Sequence, residues 1–198
     1  MGFSQIDDDL ILVGIDEVGT GCLAGPVVAA AVILNPTNPI NGIKDSKKIS
    51  EKRRKILAKQ IMDNASDWAI GQASASEIDK HNILRASHLA MQRAFASLKS
   101  DAPFILVDGN KSPYFPVESK AVIKGDETVL AIGAASIIAK VFRDGLMEKL
   151  GKKYPAYDFG KNKGYPTKSH MQTLRAVGPC AQHRKSFAPV KNWKIRSQ

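Results

Sequence analysis

Apolar residues in this chain fall into short continuous runs and into longer stripes at helical spacing. Residues 11–16 and 27–34 (ILVGID and VVAAAVIL) are runs of the first kind and predict two strands. The loop between them carries Gly19, Gly21, Gly25 and Pro26. A turn-rich segment, NPTNPING at 35–42, interrupts the pattern. Ser50 then precedes a stripe of Ile56, Leu57 and Ile61, which predicts a capped helix from 51 to about 62. Residues 68–73 predict a third short strand. Residues 82–98, with Ile83, Leu84, Leu89, Met91 and Phe95, predict an amphipathic helix. Apolar runs at 104–107 and 121–123 predict two more strands, ending at Asp108-Gly109 and at Lys124-Gly125-Asp126. The longest helix is expected over 128–150. The remainder is rich in Gly, Pro and Lys, with one helix near 168–176. Strands interleaved with helices predict an α/β fold, a mixed sheet with helices on its faces. No internal repeat interrupts it.

Bulk properties narrow the setting. The 198 residues suit one domain, and 43% hydrophobic with 24% charged residues is ordinary globular composition. No apolar run reaches the length of a membrane span, so no membrane partner is expected. The opening MGFSQIDDDL lacks the pattern of a targeting peptide. Cys22 and Cys180 are far apart and form no metal-binding spacing, which points to a reduced, cytoplasmic protein. The net charge of +10 is unevenly placed: residues 140–198 hold 14 Lys and Arg against three acids, while the rest is nearly neutral. A basic region beside a neutral one suits a polyanion held in one place and attacked in another.

Acids stand at the ends of three predicted strands: Asp16-Glu17, Asp108 and Asp126. An acid abutting a buried strand is costly to desolvate unless it is paired or binds a cation. Neighbours on a strand point to opposite faces, so one of Asp16 and Glu17 would line a site and the other reach it from the strand end. Four carboxylates converging from three strands could hold two magnesium or manganese ions for phosphodiester hydrolysis. Asp126, just before the long helix, would also gain from its N-terminal field. Taken singly, Asp108 and Asp126 read as turn or cap residues; the repetition favours the site.

The segments GIDEVGTGCLAGPV, KDSKKIS, ILVDGN, VIKGDE, AASIIAKVFRD and NKGYPT stand in an order and spacing that resemble bacterial ribonuclease HII, of the type 2 ribonuclease H family. The resemblance covers about 13–190. It implies a ribonuclease H-like fold in a single catalytic domain over 1–198, with a core at about 10–150 and a small, basic, helical C-terminal extension at about 151–198. It implies metal-dependent cleavage of the RNA strand of RNA–DNA hybrids and incision 5′ of single ribonucleotides in duplex DNA, leaving a 3′-hydroxyl and a 5′-phosphate. By motif match, Asp16, Glu17, Asp108 and Asp126 are the catalytic, metal-binding acids. The loop Gly19-Thr20-Gly21 would sense the ribose 2′-hydroxyl, and Tyr165 would stack on the neighbouring sugar. Two positions depart from the family pattern. Thr20 replaces a usual arginine, which predicts a weaker grip on substrate. Asn162 replaces a frequent histidine and cannot carry a proton.

Other residues are open to two readings. Ser46 could bind phosphate or cap a helix. Lys47 suits phosphate contact as well as the ordinary solvated role of lysine. His183, Arg184, Lys185 and Ser186 could hold a DNA strand or form a solvated surface run. Gly133-Ala134-Ala135-Ser136 reads as close helix packing, and Cys22 as a small buried filler. The tail 191–198 shows no clear sliding-clamp peptide, and nothing demands more than a monomer. Two rival functions are a ribonuclease H-like DNA nuclease and a non-catalytic nucleic-acid-binding module.

Overall fold

The computed structural model describes residues 12–43 and 50–193. Five strands, β1 Leu12–Val18, β2 Val27–Ile33, β3 Asp67–Ala73, β4 Phe104–Asp108 and β5 Glu118–Val122, form one mixed sheet in the order β3-β2-β1-β4-β5. The β1–β2 and β2–β3 pairs are antiparallel; β1–β4 and β4–β5 are parallel. The helices are α1 Glu51–Asn64, α2 Ala75–His81, α3 Ile83–Ala96, α4 Gly125–Thr128, α5 Leu130–Lys153, α6 Phe159–Asn162 and α7 Lys168–Val177.

The interior strand β2, between β3 and β1, is buried throughout. Its alternate residues serve two cores, as the period of two requires. Val27, Ala29, Ala31 and Ile33 face a cluster with Ala86, Ala90, Met91 and Ala94 of α3. Val28, Ala30 and Val32 face a second cluster with Leu57, Ala58 and Ile61 of α1 and with Ala134 to Ala139 of α5. Both faces of the sheet are therefore covered. Glycines set two of the closest approaches. A Cβ on Gly14 of β1 would lie 2.1 Å from the Ala131 carbonyl carbon of α5, and one on Gly71 of β3 would lie 2.1 Å from the Ala90 oxygen of α3.

The predicted elements are present, with instructive shifts at their ends. Strand β1 does not stop at Asp16 but runs through both acids to Val18, because it stays paired with β2 to Val28. The helix expected over 82–98 begins at Ile83, preceded by the separate α2. Ser74 and Glu77 close a capping box on α2, and Asn82, at φ 67°, ends it and caps α3. That signature, Ser-x-x-Glu, was present in the sequence. Strand β5 spans 118–122 rather than 121–123. Its alternating exposed Glu118 and Lys120 mark a charged edge strand and mask the apolar signal. The long helix starts at Leu130 and runs on to Lys153; the single turn α4 precedes it, separated by the extended Val129.

Candidate active site

Asp16 shares its face of β1 with Gly14, the face on which α5 packs, and is 6% exposed. β4 runs parallel beside β1, with Ile15 opposite Val107, so Asp108 emerges next to Asp16 on the same face. Burial pushes the Asp16 carboxyl up to about 8; the hydrogen bond with Ser136 opposes the rise, and the charges of Glu17 and Asp108 add to it. The Glu17 carboxyl is pushed up to about 7 by burial, then by the charge of Asp108. Three acids from two strands are thus close enough to resist one another's ionisation. The Glu17 amide also donates to Asp16 Oδ1 at 2.7 Å.

The fourth acid arrives differently from the sequence expectation. Asp126 does not end a strand: β5 stops at Val122, and Asp126 lies in the one-turn helix α4, buried, with its amide 3.4 Å from Asp108 Oδ1. Asp126 thus sits in its own four-residue helix, which carries little macrodipole, with the extended Val129 between it and α5. Among the described residues, no three His, Cys, Asp or Glu side chains are arranged as a ready metal cage. The acids instead form an open, like-charged, all-oxygen cluster. That donor chemistry fits a hard divalent cation, whose charge would offset the mutual repulsion.

The glycine loop is shaped from beneath by two arginines. Arg184 Nη2 donates to the Gly19 carbonyl at 2.7 Å and Nη1 to the Thr20 carbonyl at 2.9 Å; Nε and Nη2 both reach the Gly25 carbonyl at 3.1 Å. Arg143 holds the carbonyls of Pro26, Ala24 and Lys163 at 2.9–3.2 Å. In a trans peptide the C=O of one residue and the N–H of the next point in opposite directions. Carbonyls of Gly19 and Thr20 turned inward therefore turn the amides of Thr20 and Gly21 outward, where both residues are exposed. Gly19, at φ 93°, has no room for a Cβ against the Arg143 guanidinium, whereas a Cβ on Gly21 would meet nothing within 4 Å.

Arg184 corrects one expectation. It is fully buried, and its donors are engaged on the loop, so it cannot itself contact a substrate strand. Burial lowers its pKa to about 10, which leaves it charged at neutral pH. Its neighbour Ser186 is exposed, with its hydroxyl 2.6 Å from Asp79 Oδ1. Ser46 and Lys47 lie outside the described residues. Tyr165 is 39% exposed beside the glycine loop: Gly164 O accepts from the Leu23 amide at 2.8 Å, and the tyrosine hydroxyl is hydrogen-bonded with the Cys22 thiol. Asn162 is a buried latch. It donates to the Tyr157 carbonyl at 2.6 Å and accepts from the Gly164 amide at 2.8 Å, which shapes the turn leading to Tyr165.

Sequence reasoning missed Ser136, Arg143 and the inward role of Arg184. Ser136 was read only as a small packing residue. The clue was its position on a helix otherwise lined by alanine and isoleucine, where a hydroxyl needs a partner.

Comparisons with known proteins agree with the fold and the motifs. A family model described as Ribonuclease HII matches residues 13–190. A ribonuclease HII of Vibrio campbellii is 54% identical over 181 residues, covering 91% of this chain and 85% of that protein. Among solved structures, the ribonuclease H2 of Pyrococcus horikoshii OT3 superposes with a TM-score of 0.78 at 26% identity, covering 92% of this chain and 96% of that one. A ribonuclease HII of Archaeoglobus fulgidus, solved in complex with PCNA, gives a TM-score of 0.71 at 27% identity over 96% of this chain and 98% of that one. With a family match across nearly its whole length and a ribonuclease H-like sheet beneath it, the chain belongs to the ribonuclease HII family and is a ribonuclease H-type endonuclease.

Proposed function

We propose that the chain cleaves the RNA strand of RNA–DNA hybrids and incises 5′ of single ribonucleotides embedded in duplex DNA, leaving a 3′-hydroxyl and a 5′-phosphate. One observation carries this reading: the carboxyls of Asp16 and Glu17, raised chiefly by burial and further by the charge of Asp108, lie next to a loop whose Thr20 and Gly21 amides face outward. The 2′-hydroxyl is the group by which a protein tells RNA from DNA, and outward amides can hydrogen-bond to it. Asp16, Glu17, Asp108 and Asp126 would hold two divalent ions, Mg²⁺ or Mn²⁺. Bound there, such ions supply an activated water and neutralise the leaving oxygen. Tyr165, half exposed beside the loop, would stack on the adjoining sugar. Exposed Lys161, Lys168, Arg175 and Lys185 in the basic C-terminal region would meet the phosphates. No helix among the described residues is long and apolar enough to cross a membrane.

Asp16→Asn and Asp108→Asn should each abolish magnesium-dependent turnover on duplex DNA bearing one ribonucleotide, while binding of the hybrid persists. Titration of Mn²⁺ into the same variants by calorimetry should show weakened metal binding without any need for activity. Near-normal cleavage by either variant refutes the assigned roles. Cutting of pure DNA at a comparable rate would favour a different nuclease on the same fold.

A further inference from the structure

His170 and His183 are buried to 0% and 1% exposure, away from the acids, and their hydrogen bonds form one chain. At one end, His170 Nδ1 lies 2.8 Å from the Tyr165 carbonyl. A carbonyl only accepts, so His170 carries its proton on Nδ1. At the other end, the Cys180 amide donates to His183 Nδ1 at 3.0 Å, and the Cys180 thiol sits 3.2 Å from the same nitrogen. An amide only donates, so His183 Nδ1 is bare and its proton is on Nε2. The two rings meet at His170 Nε2 and His183 Nε2, 3.0 Å apart. Both ends of the chain dictate the same central bond: His183 Nε2–H donates to a bare His170 Nε2. One tautomer of each neutral ring satisfies every contact, and a further proton on either ring sets two donors face to face.

The chain terminates on the backbone that carries Tyr165. The same carbonyl accepts from the Thr167 amide at 2.8 Å, while Thr167 Oγ1 caps α7 by accepting from the His170 amide at 3.2 Å. The groups facing the imidazole pair are the Tyr157 ring of the 3-10 turn Pro155–Tyr157, the Phe159 ring of α6, the Cys180 thiol and the Tyr165 carbonyl; Ala24 bridges the backbone of His183. The Tyr157 hydroxyl is turned away, donating to the Gly178 carbonyl at 2.7 Å. Burial keeps both histidines below the usual imidazole range, and the charge of His170 lowers His183 further.

We propose that His170 and His183 are positioning residues for Tyr165, a single-tautomer pair of neutral imidazoles that fixes the backbone from which the tyrosine ring meets the ribonucleotide. This rests on the assignment of Tyr165 to the substrate made above. Nitrogen-15 imidazole NMR of the wild-type protein between about pH 5 and 8 should show both rings neutral, His170 as the Nδ1–H tautomer and His183 as the Nε2–H tautomer. The opposite tautomers, or exchange between them, overturn the proposal. Kinetics on duplex DNA with one ribonucleotide then separate positioning from packing. In His170→Asn the side-chain amide stands where Nδ1 stood and still donates to the Tyr165 carbonyl; in His170→Gln it reaches the Nε2 position instead. His170→Gln should raise KM by about fivefold or more, the loss of one hydrogen bond, with kcat and its pH profile little changed, and His170→Asn should restore most of KM. Equal effects of the two variants overturn positioning. Tyr165→Ala identifies which step failed: a normal KM removes Tyr165 from the substrate and the proposal with it, whereas a raised KM beside a normal one for His170→Gln removes the positioning role alone. If His170→Gln does not fold, the wild-type tautomers still decide.

Discussion

At Arg184 a residue that reads as surface charge in the sequence lies at zero exposure beneath the glycine loop. The sequence has no local mark for this, because its partners Gly19, Thr20 and Gly25 lie about 160 positions away. The acids were legible at the same scale for the opposite reason: each adjoins a local apolar run whose end can be read directly. Ser136 and the imidazole pair were not, since a helical serine and two dispersed histidines acquire meaning only from contacts across the fold. Arg184→Lys should lower the urea midpoint, because a single ammonium cannot satisfy three carbonyls at fixed angles. Each carbonyl left unsatisfied costs about 1–3 kcal/mol. Equilibrium unfolding checks the stability, and the affinity for a single-ribonucleotide duplex should fall in parallel. Unchanged values for both would show that the loop is shaped without its guanidinium.

At the scale of elements, the runs at 27–34, 51–62 and 104–107 predicted β2, α1 and β4 nearly to the residue, because burial and periodicity act there without competition. Errors fell where two short elements abut. α2, seven residues long and divided from α3 by Asn82 alone, carried no predicted helix, and α4 is too short to show any period. The packing of α5 on β1 brings Ser136 to Asp16, and it depends on the absence of a side chain at Gly14. Gly14→Ala must displace α5 backbone and should cost about 1–3 kcal/mol or more, as overpacking does. Gly21→Ala, with open space around its Cβ, should leave the melting temperature nearly unchanged. Equal melting points for the two variants would contradict the close approach.

Across the whole molecule, pH acts on buried groups of opposite sign. His183 has its pKa lowered from 6.5 to about 4, chiefly by burial. The unfolded chain therefore binds more protons between those values, and this contribution to stability is complete above about 6.5 and lost as pH falls toward about 4. By the same linkage its size is at most roughly 3 kcal/mol. Asp16 and Glu17, with raised values of about 8 and about 7, favour the folded state at low pH and oppose it as pH rises. Measured in an Asp16→Asn, Glu17→Gln background, which removes that opposing titration, unfolding free energy should climb from pH 4 to 6.5. A flat profile would mean that the imidazoles are not held neutral. The basic C-terminal third that stands out in the sequence divides on the same scale, with Arg143 and Arg184 turned inward as scaffold and several lysines left at the surface.

The bond from Arg184 Nη2 to the Gly19 carbonyl joins positions 165 apart. During translation the first strands leave the ribosome long before their clamp has been made. The sheet can pair early, but the segment between β1 and β2 acquires its final shape only once position 184 has been synthesised. A nascent chain not yet extended to position 184 thus carries the carboxyls without the contour that selects where they act, which couples the onset of discrimination to the arrival of that one guanidinium.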